Sequence, residues 1–202
     1  MSGKTDRRRV LELARERGTL TTRKVVDAGI HTEALTRLVR EGELERVTRG
    51  SYRLPTAPVT EHHGLALAAA AVPRGIVCLL SALTFHEIGT QMPSEVWLAL
   101  DRRARRPAVS YPPLRIVRFT GAALTEGVET HRIEGIEVRI TSAAKTVADL
   151  FKYRNKIGLD VALEALREGW RDRRFTIEEL DRAARACRVE AVMRPYVEGV
   201  LS

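Results

Sequence analysis

The side chains with the greatest chemical reach in this 202-residue chain are arginines, and they fall into three groups. The first runs through residues 31–53, where Arg37, Arg40, Arg46, Arg49 and Arg53 follow His31, Thr32 and Thr36. The second is "DRRARRP", with Arg102, Arg103, Arg105 and Arg106. The third is "REGWRDRRF", with Arg171, Arg173 and Arg174 beside Trp170. A guanidinium is planar and permanently charged, and its fork of N–H donors fits a carboxylate, a phosphate or the O6/N7 edge of guanine. The chemistry these groups offer is recognition of anions.

Bond-breaking chemistry finds less support. His62 and His63 follow Glu61, but adjacent residues on a helix point about 100° apart, so the two rarely ligate one ion. His86-Glu87 lacks the second histidine of a zinc-protease helix. Ser81 precedes a helical pattern without a nucleophile elbow and is expected to be a helix N-cap. A restriction-type nuclease needs an acidic strand residue followed two positions later by Lys, whereas Glu137 is followed by Arg139. Cys78 and Cys187 lie far apart and match neither a disulfide framework nor a metal spacing. No catalytic residue, metal or cofactor is expected.

The first group needs elements to hold it. "RRRVLELARERG" is a helical pattern that Gly18 stops, and Thr21 or Thr22 caps a second short helix that ends at Gly29. "HTEALTRLVREGE" places Ala34, Leu35, Leu38 and Val39 on one face of a third helix, about residues 32–41, which Gly42 stops. His31, Glu33, Thr36, Arg37 and Arg40 fall outside that core phase. "LERVTRGSYRLP" then reads as two short strands about a turn at Arg49-Gly50. Tyr52 and Leu54 share a face, and a bulge is expected in the first strand because Leu44 and Val47 are out of phase. Three helices and a ribbon predict a winged helix-turn-helix. Its third helix would enter a DNA major groove, Arg49 would reach a phosphate or the minor groove from the wing tip, and Arg46 and Arg53 would flank it on the backbone.

The charge distribution agrees. The chain carries a net +8, and residues 1–56 hold 13 Lys and Arg against 8 Asp and Glu, which favours a polyanion partner. "LPTAPVTEHHG" is linker-like, so the chain is expected to divide into a DNA-binding domain over 1–56 and a second domain over 57–202. The latter reads as an α+β core, with a hairpin turning at Glu134-Gly135 and a helix capped by Ser142, followed by an all-helical end. Within "SAAKTVADLFKY", Ala144, Val147, Ala148 and Phe151 form the core phase, leaving Lys145, Asp149 and Lys152 off it, the first two as a weak i,i+4 pair. There is no run of about 18 apolar residues and no apolar stretch in the N-terminal segment, so a cytoplasmic protein without membrane contact is expected. Three readings of the second and third arginine groups stay open: solvated loop and helix ends, extra phosphate contacts, or docking on an acidic partner.

Three segments in order, "GIHTEALTRLVREGELERVTRGSYRLP", "SALTFHEIGTQMPSEVWLAL" and "VRITSAAKTVADLFKYRNKIGLDVALEALR", resemble the AbiEi antitoxins of bacterial type IV toxin–antitoxin systems, regulators of phage defence. The sequence departs at Phe85, where the family often carries a small or aliphatic residue. The resemblance implies a winged helix that represses its own operon on double-stranded promoter DNA, with dimerisation on that DNA possible. It also implies a C-terminal domain that counteracts a nucleotidyltransferase-type toxin. The alternative is a stand-alone transcriptional regulator whose C-terminal domain dimerises or senses a ligand.

Overall fold

The computed structural model describes residues 2–48 and 50–201; Arg49, at the expected hairpin tip, lies outside the described residues. The fold is mixed α/β and divides into two compact units. One is Met1–Pro73 with Arg132–Glu137; the other is Arg74–His131 with Val138–Ser202. Among the described residues, no helix is long and apolar enough to cross a membrane.

The first unit contains α1 (Ser2–Arg17), β1 (Thr19–Thr21), α2 (Thr22–Asp27), α3 (Glu33–Arg40), β2 (Glu45–Thr48), β3 (Ser51–Arg53) and α4 (His63–Ala71). Thr21 caps α2, its hydroxyl accepting from Lys24 N at 3.3 Å. Its core joins Val10, Leu11 and Ala14 of α1 to Leu20, Val25, Ile30, Leu44 and the inner face of α3. The sheet has three strands rather than two, in antiparallel order β1-β3-β2. The extra strand is the "TLT" before α2, too short to show an alternation of its own. The expected bulge is present: Arg46 pairs with Tyr52 and Thr48 with Ser51, which leaves Val47 as the additional residue. Helix α4 packs on β2, so the contact boundary falls after Pro73 instead of in the polar stretch at 55–61.

The second unit begins with β4 (Ile76–Val77), α5 (Leu79–Phe85), β5 (Val96–Asp101), β6 (Leu114–Phe119) and α6 (Ala122–Thr125). Strands β7 (Val128–Ile133) and β8 (Ile136–Thr141) follow, then α7 (Ala143–Ile157), α8 (Leu159–Arg171), α9 (Ile177–Cys187) and α10 (Glu190–Leu201). The five-stranded sheet has the order β6-β5-β4-β8-β7. Strand β4 runs antiparallel to β5 and parallel to β8, and β5 and β6 are parallel. Helix α7 carries Val147, Ala148, Leu150 and Phe151 into a core shared with α8 and α9. The expected hairpin is present, with Glu134 and Gly135 both at positive φ (50° and 80°) as a tight two-residue turn requires. Ser142 caps α7 as expected, accepting from Lys145 N.

One sequence expectation is corrected and one extended. Ser81 is not an N-cap. Helix α5 starts at Leu79 after Cys78, and the Ser81 hydroxyl sits inside it, accepting from Trp97 N at 2.9 Å. Lys145 and Asp149 pair as expected, but lying off the core phase does not expose them. Both are buried, because α7 is covered all round along its first nine residues.

Candidate nucleic-acid interface

Helix α3 is split lengthwise. Ala34, Leu35 and Leu38 are buried, whereas His31, Thr32, Glu33, Thr36 and Arg40 are exposed and Arg37 is half-buried. The spacing i, i+1, i+4 of the buried residues puts one stripe into the core and leaves the intervening polar residues outside. A hollow of about 400 Å³ lies along that outer face, lined by Asp6 of α1 with His31, Glu33, Ala34, Thr36, Arg37 and Arg40. At the start of the helix, His31 Nδ1 accepts from Glu33 N at 3.4 Å. Thr32 makes no side-chain capping bond. Its hydroxyl is therefore not committed to the helix end.

Several cations of the unit are already engaged. Arg7 forms a two-pronged pair with Glu43 (2.9 and 2.5 Å), Arg8 pairs with Glu12 at 2.8 Å, and Arg9 donates to Ala28 O at 2.7 Å. Arg53, expected as a phosphate contact, pairs with Glu45 across the ribbon and its side chain is only 15% exposed. Arg46 and Arg40 are exposed, and neither has an ion pair among the described residues. The head's uncommitted positive charge therefore includes the last turn of α3 and the first strand of the hairpin.

The other two arginine groups differ in the same way. Arg102, Arg103, Arg105 and Arg106 are exposed at the start of the β5–β6 connection. The turn beneath them is fixed by Arg103 N donating to Asp101 Oδ1 (2.8 Å) and by Arg118 Nη1 donating to the carbonyls of Asp101 and Ala104 (2.9 and 2.8 Å). In the third group, Arg171 is paired with Asp172 and Arg174 with Glu87, while Arg173 is exposed in the turn before α9.

The histidines considered as metal ligands are engaged with protein. His63 Nδ1 lies 2.7 Å from Glu134 Oε2, and His86 Nε2 donates to Thr141 O at 2.7 Å. Burial holds His86 below the usual histidine range, so it is a neutral donor there.

The expected Lys145–Asp149 pair is present, but sequence reasoning missed its burial and its third member. Lys145 Nζ lies 2.6 Å from both oxygens of Asp149, Cys187 Sγ donates to Asp149 Oδ1 at 3.1 Å, and the Phe119 ring lies 4.7 Å from the ammonium. Burial alone would lower the lysine, but the charge and hydrogen bonds of Asp149 outweigh it and hold the ammonium above its ordinary pKa. Burial, then the Asp149 charge, pushes the Cys187 thiol up to about 12, so it is an inert donor and no nucleophile. The cluster ties α7 to α9 and is structural.

A small head of three helices and a three-stranded ribbon, with one helix offering a polar, cation-bearing face, has the features of a nucleic-acid-binding regulator. Residues 8–55, which span that head from α1 to the end of the ribbon, match the family model described as "Transcriptional regulator, AbiEi antitoxin". This is the family the sequence motifs resemble. The match leaves the second unit uncovered. Among solved structures, the Rv2827c protein from Mycobacterium tuberculosis is similar, with a TM-score of 0.57 at 15% identity over 97% of this chain and 77% of that one. At that identity the likeness is one of fold. No curated protein matches the chain in sequence.

Proposed function

We propose that the chain is a DNA-binding antitoxin and autorepressor. In this reading the first unit is a winged helix-turn-helix, with α2 and α3 as the helix-turn-helix, α3 as the recognition helix and the β2–β3 ribbon as the wing. His31, Thr32, Thr36, Arg37 and Arg40 face the major groove; Arg46 and Arg49 line the backbone side. The operator contacts lie within residues 1–56, and the antitoxic activity within 57–202. The partners are double-stranded promoter DNA and a nucleotidyltransferase-type toxin of a type IV phage-defence system, and the Arg102–Arg106 turn is the first surface to test for toxin neutralisation. The observation that carries the reading is the lengthwise division of α3, which leaves its exposed polar residues, with the unpaired Arg40, outside a packed three-helix head.

The test is binding of the full chain to its own promoter across a range of salt. Five or so phosphate contacts give a log–log slope near −4 to −5. Arg46→Ala reduces that slope by about 1, whereas Arg40→Ala relaxes base discrimination by roughly 1–3 kcal/mol. An affinity that ignores salt, or equal affinity for unrelated sequences in both wild type and Arg40→Ala, refutes the DNA reading. Failure to rescue cells from a neighbouring nucleotidyltransferase leaves the stand-alone regulator in its place.

A further inference from the structure

Residues 132–137 are the two-residue turn of the β7–β8 hairpin and the strand ends that flank it, yet they cluster with Met1–Pro73 rather than with the rest of their own strands. Ile133 and Ile136 are buried, and the turn residues Glu134 and Gly135 direct hydrogen bonds at the head. Glu134 O accepts from Thr19 N of β1 at 2.9 Å, and Gly135 O accepts from Lys24 Nζ of α2 at 3.2 Å. The Glu134 carboxylate, only 7% exposed, accepts from Thr60 N (2.8 Å) and the Thr60 hydroxyl (3.0 Å) and faces His63 Nδ1 at 2.7 Å. The backbone approach is close as well. A Cβ on Gly18, whose φ is +73°, would lie 2.9 Å from Glu134 O, so only glycine fits there.

These contacts reach the parts of the head that set α3. Helix α2 is tied at its start to the ribbon, Thr22 N donating to Gly50 O at 2.8 Å, and at Lys24 to the hairpin turn. Its last turn leads to α3 through Ile30 N, which donates to Val25 O at 3.1 Å. A six-residue helix cannot hold itself in place, because its own hydrogen bonds are too few to offset the entropy of ordering it. The turn at 134–135 supplies part of what is missing.

We propose that Glu134 and Gly135 are positioning residues for DNA recognition. The turn fixes β1, α2 and the segment before α4, and through them the angle at which α3 is presented; the DNA-binding head is built from two separate stretches of chain. The proposal rests on the DNA reading above, and its test separates the two. In the full-length chain, Glu134→Ala and Lys24→Met are expected to weaken promoter binding about tenfold, as loss of a charge-assisted hydrogen bond would. The salt slope is expected to stay unchanged, because no phosphate contact is removed. Amide hydrogen exchange at Thr19 and along α2 is expected to accelerate in both variants at a temperature where both remain folded. Glu134→Gln restores most of the affinity: its amide oxygen still accepts from Thr60, and its NH₂ can donate to the other tautomer of His63. The exposed neighbour in Glu137→Ala changes nothing. Wild-type affinity in both Glu134→Ala and Lys24→Met overturns the proposal. So does a slope reduced by about 1 in Lys24→Met, which would make Lys24 a direct phosphate contact. If the wild-type chain does not bind its promoter, the DNA reading fails by itself. Exchange at Thr19 and α2 then decides the turn's role in ordering the head, and unchanged protection in both variants overturns it.

Discussion

The Lys145–Asp149 pair is a strong test of how the second unit is held together. Both side chains are dry, at 0% and 2% exposure, and the ammonium sits 2.6 Å from each carboxylate oxygen. Lys145→Met keeps the length of the side chain and removes the charge. Asp149 then keeps only the Cys187 thiol, a weak donor, for a buried carboxylate. Breaking a buried pair from one side costs about 3–5 kcal/mol. For a unit of on the order of 100 residues that is a fall in Tm of about 10 °C or more. The loss also has a pH signature. Burial already holds Asp149 above its ordinary value of 3.8, against the opposing charge and hydrogen bonds of Lys145; removing the lysine takes away most of that opposition and raises it further, so the folded state takes up the proton first. The penalty is therefore largest at neutral pH and shrinks as the pH falls through that raised pKa. Pairing the change with Asp149→Asn removes the stranded charge and recovers much of the loss, giving a coupling energy of about 2–3 kcal/mol in the double-mutant cycle. The assay is urea unfolding followed by tryptophan fluorescence, since Trp97 and Trp170, the chain's two tryptophans, both lie in the second unit. A single variant within about 1 kcal/mol of wild type, or a double variant no better than the single, would refute a dry, mutually dependent pair.

Three further outcomes follow from the packing. Gly127→Ala forces a side chain at φ +61° with its Cβ 2.7 Å from Lys145 Cβ, and is expected to cost about 2 kcal/mol or more in the same melt. Thr176→Ala removes the capping box of α9, in which Thr176 and Glu179 each bond the other's backbone N–H (3.2 and 2.8 Å); a loss of about 1 kcal/mol is expected. Leu38→Ala empties a fully buried site of the head and costs about 2–5 kcal/mol by circular dichroism, whereas Thr36→Ala on the opposite face of α3 changes stability by less than about 0.5 kcal/mol.

Much of the head is legible in its sequence because its signals are local. The stripe of Ala34, Leu35 and Leu38, the Thr21 cap and the out-of-phase Val47 each depend on residues within a turn or two, and each appears as the pattern requires. Strand β1 was not legible. Three residues cannot display a period of two, and its identity comes from β3, whose paired residues lie 30 to 34 positions later. For the candidate interface, the exposure of His31, Glu33, Thr36 and Arg40 followed from helical phase. The pairing of Arg53 with Glu45 did not, although the two flank a hairpin. Their partnership depends on the register, which the bulge at Val47 shifts.

The two buried polar sites differ in how much of each the sequence could reveal. Lys145 and Asp149 lie in "AAKTVADLF", where apolar or small residues surround each charge on both sides. A helix apolar all round is a buried helix, and a buried lysine needs a partner within reach. On a helix the nearest opposite charge four residues away meets that need, so helix phase gives the pair and apolar density adds its burial, which phase alone hides. Glu134 carries no such mark. Its neighbours announce a tight turn and nothing more, while its partners Thr60 and His63 lie 74 and 71 positions away and the lysine that bonds Gly135 lies 111 away. A charge buried by its own helix is written in the period of that helix. A charge buried by a surface folded from elsewhere in the chain has no period to be written in, and the only trace it leaves in this sequence is a glycine at position 18 that the approaching backbone requires.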